Sequence, residues 1–146
     1  MPGAPEIRFF SDGIRFTLRN KTDIQGWLID LARSHKRKIK SLYFFYVSDK
    51  RLLEMNKKFL RHNTLTDIIT FDFSQKTRGP GIEGEIYISV ERVAENAGQF
   101  NVTKTEEMHR VMAHGLLHLC GFGDKTPAEQ KRMRREEEKA LFLRKF

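Results

Sequence analysis

The chain has 146 residues, 39% of them hydrophobic and twelve of them phenylalanine, which is enough to build one core, so a single domain spanning 1–146 is expected. No run approaches the roughly 18 apolar residues of a membrane span, and the opening Met-Pro-Gly-Ala-Pro lacks both the basic and the apolar region of a signal peptide. The expectation is a cytoplasmic protein with no membrane association, and the lone Cys120 fits a reducing compartment and excludes an internal disulfide. A net charge of +8 and a pI near 9.8 raise the local concentration of polyanions such as RNA.

In chain order, Glu6-Ile7-Arg8-Phe9-Phe10 and Ile14-Arg15-Phe16-Thr17-Leu18 flank Ser11-Asp12-Gly13, which reads as a hairpin or as two edge strands. Thr22 and Gln25 have capping-box spacing and open a helix to about His35, with Ile24, Trp27, Leu28 and Leu31 on its apolar face. Leu42 to Val47 is continuously apolar, as in a strand buried on both faces, and Ser48 then caps a helix from Asp49 to about Leu60. A polar loop covers Arg61 to Thr66. Strands follow at Ile68 to Phe73 and Glu85 to Val90, separated by the mobile-looking segment from Gln75 to Gly81. A helix from Glu91 to Phe100 comes next, then one opened by Thr103 and Glu106, then one opened by Thr126, Pro127 and Glu129. The fold class is α+β, or else α/β: a single mixed sheet packed with helices.

The most informative stretch runs from His114 to Asp124. Residues four apart on a helix stack roughly 6 Å apart, so His114 and His118 can offer two imidazoles to one ion. Gly121 permits a left-handed cap that reverses the chain and brings Asp124 back as a third ligand. Three ligands with an open position describe a catalytic zinc site. Metzincin peptidases share this spacing but carry a glutamate after the first histidine as general base; here that residue is Gly115, which cannot take a proton.

The same stretch resembles the HGxLHLxGYDH signature of the YbeY family of bacterial rRNA maturation factors. Met55-Asn56-Lys57-Lys58-Phe59, Leu65 to Phe71, and Gly84 to Ser89 are similar to that family's LNxxY, TDVLSF and LGDIxIS segments, so the likeness covers about residue 50 to the C-terminus. It implies a single-strand-specific, zinc-dependent endoribonuclease with one ion per chain. It further implies action on small-subunit (16S) rRNA 3′ ends and in ribosome quality control, with rRNA and the small subunit as partners. Two positions depart from the pattern. The third ligand is Asp124 where the family usually has histidine, which leaves iron or manganese open as alternatives. Leu60 stands where the family commonly has arginine, so a phosphate-stabilising catalytic role passes to Arg61, to His62, or elsewhere. The resemblance also places Thr66 and Asp67 at the cleft, where the bland role is a turn.

Arg33, Lys36, Arg37 and Lys38 form a basic run without nearby acids and are the candidate RNA contacts, although a plain solvated surface explains them equally well. Lys131 to Arg135, followed by three glutamates, reads as a solvated face balanced by its own acids. His35 reads as solvated, His109 as a surface or supporting residue rather than a ligand, and Cys120 as core. No general base is evident, so either a water or the ribose 2′-hydroxyl can be the nucleophile. Two other readings share the metal site. One is a non-catalytic, metal-stapled RNA-binding factor of the ribosome; the other is a metallopeptidase borrowing Glu85 or Glu107 as base.

Overall fold

The computed structural model describes residues 4–59, 66–74 and 81–146. Its elements are β1 (Glu6–Ser11), α1 (Lys21–Ser34), β2 (Lys38–Val47), α2 (Asp49–Phe59), β3 (Ile68–Asp72), β4 (Gly81–Ser89), α3 (Val90–Phe100), α4 (Lys104–Leu119) and α5 (Pro127–Phe142). The strands form one mixed sheet in the order β1-β2-β4-β3, parallel at β1/β2 and β2/β4 and antiparallel at β3/β4. This is the α+β architecture, with the HxxxH pair on α4, that the sequence predicts.

The hairpin reading of the N-terminus is overturned. β1 pairs in parallel with β2, Ile7 opposite Leu42 and Phe9 opposite Phe44, while residues 14–18 form no strand. A parallel pair needs a crossover, and α1 supplies it. The Thr22 and Gln25 cap is likewise replaced. Asn20, in the left-handed conformation, precedes α1 without a side-chain cap, and Gln25 instead donates to the Ile7 carbonyl at 2.9 Å.

β2 is not buried on both faces alike. Leu42, Phe44 and Tyr46 are fully buried against α1 and α4, whereas Tyr43 and Phe45 alternate with them on the other face and stay half-buried. That second face is covered in part by α2, whose Leu52 and Met55 pack on Val47 and Ile69. Helix starts follow their predicted caps more closely. Thr103 accepts from the Glu106 amide at 3.0 Å, and Thr126 and Glu129 form a complete capping box with Pro127 in the first turn, a device that contributes about 1 kcal/mol per cap.

α4 is the central helix. Met108, Val111, Met112, Ala113, Leu116, Leu117 and Leu119 are all buried in the main core. Gly115 belongs to the same packed face: a β-carbon there would stand 2.9 Å from the terminal methyls of both Ile68 and Ile86. α4 lies so close to β3 and β4 at this point that a larger side chain would require the Ile68 and Ile86 side chains to shift. The last helix docks on α4 and on α1, where the Trp27 indole donates to the Ala140 carbonyl at 2.7 Å. Glu106 pairs with Arg144 and His114 with Glu137, so α4 and α5 run in opposite directions.

Candidate metal centre and adjoining cleft

α4 ends where Gly121 takes φ 109°, a conformation that a β-carbon would disfavour. The Gly121 amide bonds the His118 carbonyl at 3.0 Å and the Phe122 amide bonds the Leu117 carbonyl at 3.1 Å, the paired bonds of a Schellman cap. The reversal returns Asp124 to the helix end. His118 Nε2 lies 2.9 Å from His114 Nε2 and 3.2 Å from Asp124 Oδ2, and His114 Nε2 lies 3.4 Å from the same oxygen.

Two imidazole nitrogens facing each other this closely repel unless a proton or a cation lies between them. Ligand atoms on a tetrahedron with bonds of about 2.0–2.1 Å are about 3.3–3.4 Å apart, so this triangle suits a small transition-metal ion with little adjustment. The donors are two nitrogens and one carboxylate oxygen, and the side chains are 21%, 25% and 40% exposed. One face of the cluster is therefore open to a substrate.

A further residue completes the arrangement and has no signature in the sequence. Glu137 of α5 is buried and takes a 2.6 Å hydrogen bond from His114 Nδ1. That bond holds the imidazole proton on Nδ1 and turns the Nε2 lone pair toward His118 and Asp124, as carboxylates behind metal-bound histidines do. Burial alone would push the His114 pKa down; Glu137, aided by Asp67 and Asp124, overrides it and holds the group above the ordinary histidine range. Arg110 in turn donates to Glu137 at 3.3 Å and to Glu138 at 2.6 Å. The reading of α5 as a self-balanced solvated face is thus corrected, because its acids serve neighbouring elements: Glu136 pairs with His35 at 3.4 Å, and Glu137 and Glu138 serve α4.

Beside His114 opens a cleft of about 440 Å³ lined by Asp67, Asn96, Phe100, Glu107, Arg110 and Glu137, among others. Asp67 accepts from Asn96 Nδ2 at 3.3 Å, and burial pushes its carboxyl up against the opposing pull of His114. Thr66 instead turns its hydroxyl onto the Ile68 peptide. Glu107 is buried, and burial raises its pKa to about 7. Arg61 and His62 lie outside the described residues.

The basic run collects around one depression of about 400 Å³, lined by Arg33, Lys36, Arg37 and Lys38 together with Pro5, Ile29 and Ile39. Arg37 also donates to the Leu119 carbonyl at 3.4 Å, one residue past His118. His35 is not simply solvated. It packs edge-on against Phe122 with 4.9 Å between centroids, and Arg132 covers the same ring. His109 is interior rather than superficial: it sits between Trp27 and Phe146, and Arg144 donates to its Nδ1 at 2.8 Å. Cys120, at the helix cap, is half-buried against the core, and burial raises its thiol to about 11.

The peptidase alternative loses one of its two candidate bases: Glu85 lies on the opposite sheet face, where the Tyr87 hydroxyl donates to it at 3.1 Å, whereas Glu107 lines the cleft beside His114.

The Endoribonuclease YbeY family profile matches residues 11–143. The chain is 46% identical to Endoribonuclease YbeY of Cytophaga hutchinsonii over 96% of both chains, and 44% identical to that of Christiangramia forsetii over 94% of both. It also superposes on the solution structure of the Thermotoga maritima protein TM1509 with a TM-score of 0.58 and 25% identity, covering 93% of this chain and 89% of that one. Signature, fold and relatives agree, and the chain belongs to the YbeY family of endoribonucleases.

Proposed function

We propose that this protein is a zinc-dependent endoribonuclease that cuts single-stranded RNA in the cytoplasm, at the 3′ end of small-subunit (16S) rRNA, and serves ribosome quality control. The observation that carries the reading is the convergence of His114, His118 and Asp124 on one point, with an open face beside a cleft. One ion per chain would be held by those three residues; bound there, zinc supplies Lewis-acid polarisation of a phosphoryl oxygen and a lowered pKa for water.

The protein's own groups do the rest. Glu137 keeps the proton on His114 Nδ1, leaving Nε2 free to ligate. The cleft beside His114 carries four carboxyls, from Asp67, Glu107, Glu137 and Glu138, against Arg110 and Arg134, so a phosphate chain needs further cations to approach it. Arg33, Lys36, Arg37 and Lys38 are assigned that role, and Arg37 reaches the end of α4 through its bond to the Leu119 carbonyl. Arg61 or His62 is assigned the stabilisation of the reacting phosphate, since the family arginine is replaced by Leu60.

The deciding experiment is cleavage of a precursor small-subunit rRNA 3′-end fragment by zinc-loaded wild type beside a folded His118→Ala variant from the same preparation. Cutting by the wild type alone is expected. Equal cutting by both, or by neither while RNA binding persists, replaces the enzyme with a metal-stapled RNA-binding factor.

A further inference from the structure

The cleft beside His114 contains a hydrogen-bonding group left unused. Glu107 is 3% exposed, yet its Oε1 has no hydrogen-bond partner, and Arg110 Nε stands 3.8 Å away, beyond bonding reach. A buried acceptor left unpaired costs stability and calls for an explanation. Across the same cleft, Asn96 spends one amide hydrogen on Asp67 and keeps a second N–H and its carbonyl oxygen for a ligand. At the rim, Phe100 is 63% exposed and Val102 is 37% exposed, apolar surfaces that solvent would not select.

These carboxyls are not a second ion site. Among the described residues, the set of three or more acidic, imidazole or thiol side chains whose ligand atoms all come within 4.8 Å of one another is His114, His118 and Asp124. Nor do they favour a phosphate: four carboxyls, from Asp67, Glu107, Glu137 and Glu138, line the cleft against two guanidiniums, of which Arg110 is already committed to Glu137 and Glu138 and the other is Arg134. A flat, neutral group with N–H donors on one edge and a face to stack fits on every count.

We propose that the cleft between α3, α4 and α5 receives the base of a nucleotide flanking the scissile phosphate, and that it selects bases with an exocyclic amino group over uracil. This rests on the ribonuclease reading for its placement next to the cut. Adenine, cytosine and guanine each present an amino group to a carboxylate, and carboxylate or amide side chains are the usual partners of such edges. Uracil presents one N–H between two carbonyl oxygens, and those oxygens would face the lone pairs of Glu107 and Asp67. Phe100 gives the base a ring to lie against, as aromatic side chains do for unpaired RNA.

The test uses oligouridylate hexamers carrying a single A, C or G, measured with wild type, Glu107→Leu and Asn96→Leu, each checked for native far-UV circular dichroism. Binding is read by fluorescence anisotropy in chelator, and cleavage sites by product mapping with zinc. The wild type is expected to bind the substituted hexamers about tenfold more tightly than the all-uridine one and to cut next to the substitution. Both variants are expected to bring the substituted hexamers down to the oligouridylate level. Cleavage by the wild type without base preference, or a preference that survives in both variants, overturns the pocket and leaves the nuclease reading standing. A base preference in binding that both variants abolish, with no hexamer or precursor RNA cut, upholds the pocket and removes the nuclease.

Discussion

Replacing Glu137 with glutamine isolates the contact that the structure adds to the candidate metal site. Glutamine keeps the shape and can still accept from His114 Nδ1, but the 2.6 Å charge-assisted bond becomes a neutral one. Loss of such a partner behind a ligating histidine lowers metal affinity about 10- to 100-fold, which is about 1.4–2.7 kcal/mol. The matched control is Glu138→Gln, which gives up the 2.6 Å contact with Arg110 at a 54% exposed side chain and does not touch His114. The assay is competition for zinc against a chromophoric chelator at pH 7.5, with circular dichroism to establish that both variants fold. The pH dependence supplies a second signature. Because Glu137 raises the His114 pKa, protons compete with the ion more strongly in the wild type as pH falls, so the variant's deficit should narrow toward pH 6. An unchanged affinity at pH 7.5, or an equal loss in Glu138→Gln, would falsify the role assigned to Glu137.

Two buried groups make opposite predictions for stability. Glu107 has a folded pKa raised from 4.5 to about 7, so the folded state keeps a proton that the unfolded chain releases, and stability from this site falls as pH rises from 4.5 to 7. Glu107→Gln does not titrate and should be more stable than wild type at pH 8 by up to about 3 kcal/mol in urea denaturation, with the advantage vanishing near pH 4.5; a pH-independent difference would contradict this. His109 has a folded pKa lowered from 6.5 to about 4, so the unfolded state takes the proton first and stability is lost as pH falls through that window. His109→Gln can still accept from Arg144 without titrating; its deficit against wild type at pH 7.5 should shrink by about 3 kcal/mol between pH 6.5 and 4, and a constant gap would refute the buried neutral histidine.

How much could be read without coordinates followed the range of the interactions. Thr103 and Thr126 were identifiable as helix starts because a cap is satisfied within three residues. Thr22 failed the same test because the Gln25 side chain found a better partner in the Ile7 carbonyl, on a strand 18 residues away. The β1 register was hidden for a related reason: a parallel partner lies beyond a crossover helix, and the local pattern cannot tell it from a hairpin. Charge runs misled most. The glutamates after Arg135 look like neutralisers of their own helix, but α5 lies against α4, and Glu137 takes a 2.6 Å bond from the imidazole of His114.

What the sequence by itself determined is the candidate metal centre. His114, His118, Gly121 and Asp124 span eleven residues, and helical pitch with one left-handed glycine brings them together wherever the helix is placed. What only the tertiary structure decided is what surrounds that centre. The Glu137 bond, the cleft shared by Asp67, Asn96 and Glu107, and the interior position of His109 all depend on helices docking across tens of residues. The tight packing of Gly115 against Ile68 and Ile86 depends on how closely α4 settles on β3 and β4. Local geometry is written in short spacings; docking is set by the summed packing of the core, which no single spacing records.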